Sequence, residues 1–157
     1  MPKPAALLVT TPEEMQDALA IRRRVFVEEQ HVPEEIEIDA YDAPPALGAT
    51  ALHVVVRVEG EAVATGRLLL ESDDGVPHIG RVAVLAEQRG RGHGRTVMLA
   101  LHDVARKRGI EAVRLAAQLH AIGFYEKLGY VARGPVFLDA GIEHRWMDVA
   151  VARPSPE

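Results

Sequence analysis

Three glycines alternate with charged residues in Arg89-Gly90-Arg91-Gly92-His93-Gly94, between a β-branched run and a helical one. A strand-to-helix turn of this kind exposes several backbone N–H groups with no side chains in the way, at the positive end of a helix dipole. That is a cradle for a diphosphate. A tight turn alone needs one or two glycines, not three in alternation. The loop lacks the lysine followed by serine or threonine that closes a P-loop, and Val97 stands where a dinucleotide fingerprint has its third glycine. Nucleotide hydrolysis and hydride transfer both lose ground. Arg89, Arg91 and Arg95 either add charge to the phosphate site or stand as solvated loop residues.

The surrounding periodicity sets the frame. Thr11-Pro12-Glu13-Glu14 reads as a capping box with proline at the first helical position, and the spacing predicts a helix from about Pro12 to Glu29. Leu52–Val58, Ala62–Leu70 and Pro77–Leu85 read as an antiparallel meander with turns at Glu59-Gly60-Glu61 and Asp73-Asp74-Gly75. A helix from His93 to Arg108 ends at Gly109, with Arg106, Lys107 and Arg108 complementing its dipole. A strand at Ala112–Ala116, a short helix at His120–Leu128 and a last strand at Arg145–Val151 complete the order βαβββαβαβ, with further pairing around Tyr130 to Phe137. The stretch holding Pro33, Pro44 and Pro45 is expected to be a long ordered loop. A chain of 157 residues suits one core, so a single domain is expected over 1–157, with a frayed tail at 152–157.

Composition narrows the chemistry. With no cysteine, disulfides, thiolate metal sites and an acyl-cysteine intermediate are all excluded. A net charge of −5 argues against a nucleic-acid partner. Neither a leader pattern at Met1–Ala6 nor an apolar run of roughly 20 residues is seen, so a cytoplasmic protein with no membrane partner is expected. His31, His53, His78, His93 and His102 are scattered without a ligand spacing, so no metal is expected.

At 100° per residue, Arg22 and Glu29 fall in the apolar stripe of the first helix with Met15, Ala18, Leu19, Val25 and Phe26. Charges facing a core must be paired. Arg22, Glu29, Glu37, Asp39, Asp42, Arg67 and Arg81 are therefore expected to form a paired network beside a substrate cleft. Such a network either shapes the acidic loop or contacts substrate.

Val84 to Gly94 resembles the acetyl-CoA motif of the GNAT N-acetyltransferases, whose core is Arg or Gln, two residues, Gly, one residue, then Gly or Ala; Arg89, Gly92 and Gly94 fill those positions. The resemblance covers most of the chain. It implies an α/β (α+β) fold with a mixed, mostly antiparallel central sheet flanked by helices. It also implies that acetyl-CoA is the acyl donor, held by Val82, Ala83 and Val84 along the pantetheine arm and by the loop at the pyrophosphate. Phe124-Tyr125-Glu126-Lys127-Leu128-Gly129-Tyr130 is similar to the family's second signature, which makes Tyr125 the residue that protonates the departing thiolate. From its residues alone, Tyr125 fits equally the apolar stripe of a short helix, with Ala121, Phe124 and Leu128. Where the family often has asparagine, this chain has Gln118; Ala117-Gln118-Leu119-His120, Val25-Phe26-Val27-Glu28-Glu29-Gln30 and Gly141-Ile142-Glu143-His144 resemble the ElaA-like branch.

The implied reaction is direct transfer of an acetyl group to a primary amine in a ternary complex, with Glu29, His120, Glu143 or His144 as general base and Glu29 leading. Arg22, Glu37, Asp39, Arg67, Arg81, Glu143 and His144 are the candidates for the acceptor side. The acids Glu29, Glu37, Asp39 and Asp42 suggest an acidic cleft suited to a cationic small amine or a lysine. Arg22-x-x-Val25-Phe26, Glu37-x-Asp39-x-x-Asp42, Arg67-Leu68-Leu69 and Arg81-Val82-Ala83-Val84 also look like the acyl-homoserine-lactone synthases, the alternative enzyme reading. A non-catalytic acyl-CoA sensor is the alternative outside enzymes. The last strand is the one candidate face for a homodimer.

Overall fold

A computed structural model describes residues 3–44 and 46–151; the expected tail at 152–157 lies outside them. Seven strands form one sheet in the order β1-β2-β3-β4-β5-β7-β6: β1 Ala5–Leu8, β2 Ala51–Val58, β3 Glu61–Leu69, β4 His78–Val84, β5 Ala112–Gln118, β6 Val131–Asp139 and β7 Ile142–Ala150. β2, β3 and β4 are the expected antiparallel meander. Every pairing is antiparallel except β4 with β5, which run parallel and meet at His78 and Arg114. The last strand is not an edge. β7 lies between β5 and β6, so its backbone groups are paired on both sides and it has no open edge to offer a partner strand.

Thr11 caps α1 (Pro12–Arg22): its hydroxyl accepts from the Glu14 backbone N–H at 3.2 Å, and the Glu14 carboxylate accepts from the Thr11 N–H at 3.1 Å. α1 buries Met15, Ala18, Leu19 and Ile21 over the sheet, with Val9 and Val55 beneath Met15, Ala18 and Leu19. The helix does not continue to Glu29 with one winding. From Arg23 to Glu29 it is π-helical, and the Gln30 N–H donates to the Val25 carbonyl at 3.1 Å. A π turn is wider than an α turn, so residues beyond Arg22 lose the 100° phase. Val25 stays buried and Glu29 swings out.

On the opposite face α3 (His93–Lys107) lays Val97, Met98, Leu101 and Ala105 against Val54, Val56, Leu68, Ile79, Val113, Leu115 and Met147. Each fully buried valine, leucine, isoleucine or methionine here contributes about 1.5–3 kcal/mol relative to exposure. Close approach depends on Gly66 of β3, where a Cβ would stand 2.6 Å from Val97 Cγ1. The proline-rich stretch is less irregular than expected, with α2 at Glu34–Glu37 and a 3-10 turn at Ala40–Asp42. Between β5 and β6 a 3-10 turn at Leu119–Ala121 leads into α4 (Ile122–Glu126). No described helix is long and apolar enough to cross a membrane.

Candidate active site

Two features of β4 open the sheet. Thr65 faces Ala83 and Arg67 faces Gly80, so Arg81 and Val82 together oppose Gly66 in a β-bulge. Arg81 takes a left-handed φ of 53°, a strained choice for a side chain of this size. Beyond His78 the parallel neighbour β5 no longer pairs with β4. The β4 edge at Val82, Ala83 and Val84 thus has β3 on one side only, and the gap between β4 and β5 is a cleft of about 850 Å³.

The glycine loop lines this cleft. Gly92 caps α3 with a φ of 84° and no side chain, so the first N–H groups of the helix are left without a capping acceptor. Gly90 has a φ of 79°, and both glycines need the left-handed region rather than the space. An uncapped, partly positive helix end with clear access fits a pyrophosphate. Arg95 lines the cleft and is exposed, while Arg91 leans on Gln88 at 3.4 Å. Arg89 is engaged otherwise than expected: its Nε donates to the Val84 carbonyl at 3.1 Å and its two terminal nitrogens reach the Glu29 carboxylate at 2.6 and 2.8 Å. His93 turns inward, 5% exposed, with both ring nitrogens unpartnered.

Glu29 therefore does not occupy the buried stripe on which its place as leading base rested. Its side chain is 40% exposed, and the hydrogen bond and charge of Arg89 hold the carboxyl below its ordinary range, which weakens it as a base. Next to it, the Gln118 side-chain amide donates to Oε1 of the Gln30 side chain at 2.9 Å and ties β5 to the end of the π-helical segment.

The expected network exists, without Glu29. Arg22, 1% exposed, donates from Nε to Glu37 at 2.8 Å and from Nη1 and Nη2 to Asp42 at 2.6 and 3.0 Å. Arg67 reaches Asp39 at 2.8 Å through each terminal nitrogen and Asp42 at 3.2 Å. Arg81 holds Glu37 at 3.0 Å and Asp39 at 3.3 Å. Three arginines thus balance three carboxylates, and the acidic cleft expected from Glu29, Glu37, Asp39 and Asp42 is electrically spent: every one of them carries an arginine. Burial opposes ionisation of Asp42, but the hydrogen bond and charge of Arg22 prevail and bring its carboxyl down to about 2. His53 joins this layer, its Nε2–H donating to the Tyr41 carbonyl at 3.1 Å. Nothing in its spacing singled it out.

Tyr125, His120 and His144 line the same cleft. Tyr125 sits on α4 against the rings of Phe124 and Tyr130, 5.0 and 5.7 Å away between centroids. Burial pushes its hydroxyl up to about 12, so it remains a donor at neutral pH. His144, 8% exposed, donates from Nδ1 to the Ile142 carbonyl at 2.7 Å. A carbonyl only accepts, so Nδ1 carries a proton and Nε2 is the nitrogen left to accept one. His120 is exposed at the rim, and Glu143 points to the other face of β7, outside the cleft lining. Trp146, which the sequence reading passed over, shares the cleft face with His144; the period-2 alternation of the last strand carried that signal.

Residues 15–130 match the model of the Acetyltransferase (GNAT) family. The uncharacterized N-acetyltransferase YjcF of Bacillus subtilis is 38% identical over 143 residues, covering 90% of this chain and 96% of the relative. An acyl-CoA N-acyltransferase from Pseudomonas aeruginosa superposes with a TM-score of 0.80 at 29% identity, over 93% of this chain and 99% of that one. Escherichia coli ElaA does so with a TM-score of 0.77 at 29% identity, over 94% and 99%. Family match, relatives and the opened cleft agree: this chain belongs to the acetyltransferase (GNAT) family and is an N-acyltransferase that takes its acyl group from acyl-CoA.

Proposed function

We propose that the chain moves an acetyl group from acetyl-CoA to a primary amine by direct attack, with Tyr125 as the acid and His144 as the proton acceptor. The observation that carries this reading is one cleft lined both by the uncapped start of α3 and by Tyr125 and His144. In the step, His144 Nε2 takes the proton that the ammonium must lose, and the nitrogen lone pair then forms the N–C bond with the acyl carbon. The C–S bond breaks with its electron pair going to sulfur. Tyr125 donates its hydroxyl proton to that sulfur, which leaves as the thiol, and the attacking nitrogen gives up its second proton through solvent to the phenolate, which leaves a neutral amide and restores the phenol. Burial disfavours a thiolate as much as a phenolate, so a neutral leaving thiol suits this site. Backbone N–H groups on the unpaired edge of β4 at Val82–Val84 are the donors for the acyl oxygen. With no cysteine in the chain, an acyl-cysteine route is closed.

Glu29 is not assigned the base role, because its carboxylate serves Arg89. Thiol release from acetyl-CoA over a panel of amines, compared between the native chain and Tyr125→Phe, tests the assignment. We expect kcat to fall about 100-fold or more in the variant, in the range of general acid–base contributions, with acetyl-CoA binding retained. Unchanged turnover in the variant removes Tyr125 from the chemistry, and acetyl-CoA binding without turnover on any amine turns the reading toward a sensor.

A further inference from the structure

The acceptor end of the cleft is built around rings. His78 and Trp146 lie 5.3 Å apart between centroids, Trp146 stacks on Phe137 at 5.0 Å and 25°, and Phe137 stacks on His144 at 5.9 Å and 24°. Three strands contribute: His78 from β4, Phe137 from β6, His144 and Trp146 from β7. Phe137 pairs with His144 across the β6–β7 ladder, which keeps the row in register. His78 is fixed from behind by Asp74, which its Nε2 meets at 2.8 Å. His78, His144 and Trp146 line the cleft together with Val32, Ile36, Leu69 and Ile142, so the walls near the rings are apolar.

The charges in this region are already matched. Glu37 and Asp39 are bound by arginines, and Arg67 and Arg81 by those same carboxylates. Asp139 at the mouth makes no ion pair among the described residues. A polyamine or a lysine-bearing peptide would need a series of unpaired carboxylates, and an amino acid would need an unpaired guanidinium. The lining holds one carboxylate without an ion pair, Asp139, rather than a series, and its one guanidinium without an ion pair among the described residues, Arg95, stands on the first turn of α3 beside the glycine loop, away from the rings of β7.

We infer that the acceptor is a primary arylalkylamine, whose ring packs against Trp146 and His78 while its amino group reaches the Nε2 of His144. This rests on the transfer reading above and adds the class of amine. Aromatic contacts add about 0.5–1.5 kcal/mol beyond area burial. For two amines of equal bulk that is about a 3- to 10-fold preference for the flat ring.

Trp146 is the one tryptophan of the chain, so its emission reports this site in the unaltered protein. Phenethylamine, cyclohexylethylamine and spermidine are titrated against that emission with CoA present, and kcat/KM is measured for each with acetyl-CoA. The expected result is a saturable change in emission with phenethylamine, a kcat/KM about 3- to 10-fold above cyclohexylethylamine, and spermidine poorest. In Trp146→Leu that ratio should shrink toward one. Equal use of the two ring amines, a preference for spermidine, or no emission change with phenethylamine overturns the inference. If no amine releases thiol while phenethylamine still saturates the emission change, the ring site stands and the transfer reading fails. Thiol release with spermidine alone does the reverse.

Discussion

Arg89 lays both terminal nitrogens of its guanidinium on the carboxylate of Glu29, at 2.6 and 2.8 Å, and so joins the glycine loop to the π-helical end of the first helix. The pair holds the rim of the donor site and leaves Glu29 a poor proton acceptor. Both side chains are near two-fifths exposed, and exposed ion pairs are worth about 0–1 kcal/mol. Glu29→Gln is therefore expected to lower kcat by less than about 5-fold, to raise the KM for acetyl-CoA more than the KM for the amine, and to leave the pH profile of kcat/KM in place. A collapse of kcat with loss of the acid limb would return Glu29 to the base role.

His144 carries the opposite expectation. Its Nδ1–H is tied to the Ile142 carbonyl, and asparagine can keep a donor near that place while lacking anything at Nε2. His144→Asn should fold as the native chain does and lose about 100-fold or more in kcat. A variant at the exposed His120 should change kcat little, and stopped turnover there with normal turnover in His144→Asn would exchange the two roles.

How much of this was legible follows from where each signal lives. The glycine loop, the meander and α3 are contiguous and periodic, and they stand where the sequence placed them. The pairing of Arg22 was readable because the first turns of α1 keep the 100° phase; Glu29 was misread because a π turn changes the winding without a marker in composition. The acids between Glu34 and Asp42 suggested a charged cleft, and their neutralisation depends on Arg67 and Arg81, which arrive from strands far along the chain and, for Arg81, through a bulge. The insertion of β7 between β5 and β6 depends on strand order, which local pattern does not encode. Gly66 had no turn context to mark it.

That glycine makes a packing test. Alanine at 66 would set a methyl 2.6 Å from Val97 Cγ1 and 3.0 Å from Leu101 Cδ1, and a β-branched valine in a helix has few rotamers to yield with. Gly66→Ala should destabilise the fold by about 1–3 kcal/mol. Val97→Ala in the same chain should recover part of that loss, a non-additivity that a denaturation cycle over the four proteins would measure. Purely additive losses would mean that α3 sits farther from β3 than described.

One window of acid sensitivity, at the low end of the pH range, belongs to the buried carboxylate of Asp42. Its carboxyl lies at about 2 in the folded chain against an ordinary 3.8, so the unfolded chain binds the extra proton between these values and stability falls as pH drops through that window. The depression corresponds to about 2 kcal/mol, fully present above pH 3.8. Asp42→Asn should remove this segment of the pH dependence and, by leaving Arg22 and Arg67 short of a charge, destabilise the chain at neutral pH by about 3 kcal/mol. Urea midpoints between pH 2 and 7 in both proteins test this, and an unchanged slope below pH 4 in the variant would refute it.

A second window, at milder acid, belongs to His102, which is buried on the inner face of α3 and hydrogen-bonded to the Tyr130 hydroxyl at 2.7 Å. Burial, with Arg106 nearby, lowers its imidazole from 6.5 to about 4, so it is neutral in the folded chain at neutral pH. Between these values the unfolded chain binds the proton and the folded chain does not, and stability is lost as pH falls from 6.5 toward 4. The full difference is about 3 kcal/mol. His102→Gln retains a polar end for Tyr130 and cannot titrate. The variant should therefore lie below the native chain in stability at pH 7 and approach it as pH falls to 5, with the remaining acid loss confined to the Asp42 window. Parallel stability curves for the two proteins between pH 7 and 5 would mean that His102 takes up its proton without leaving the fold, as a solvated imidazole would.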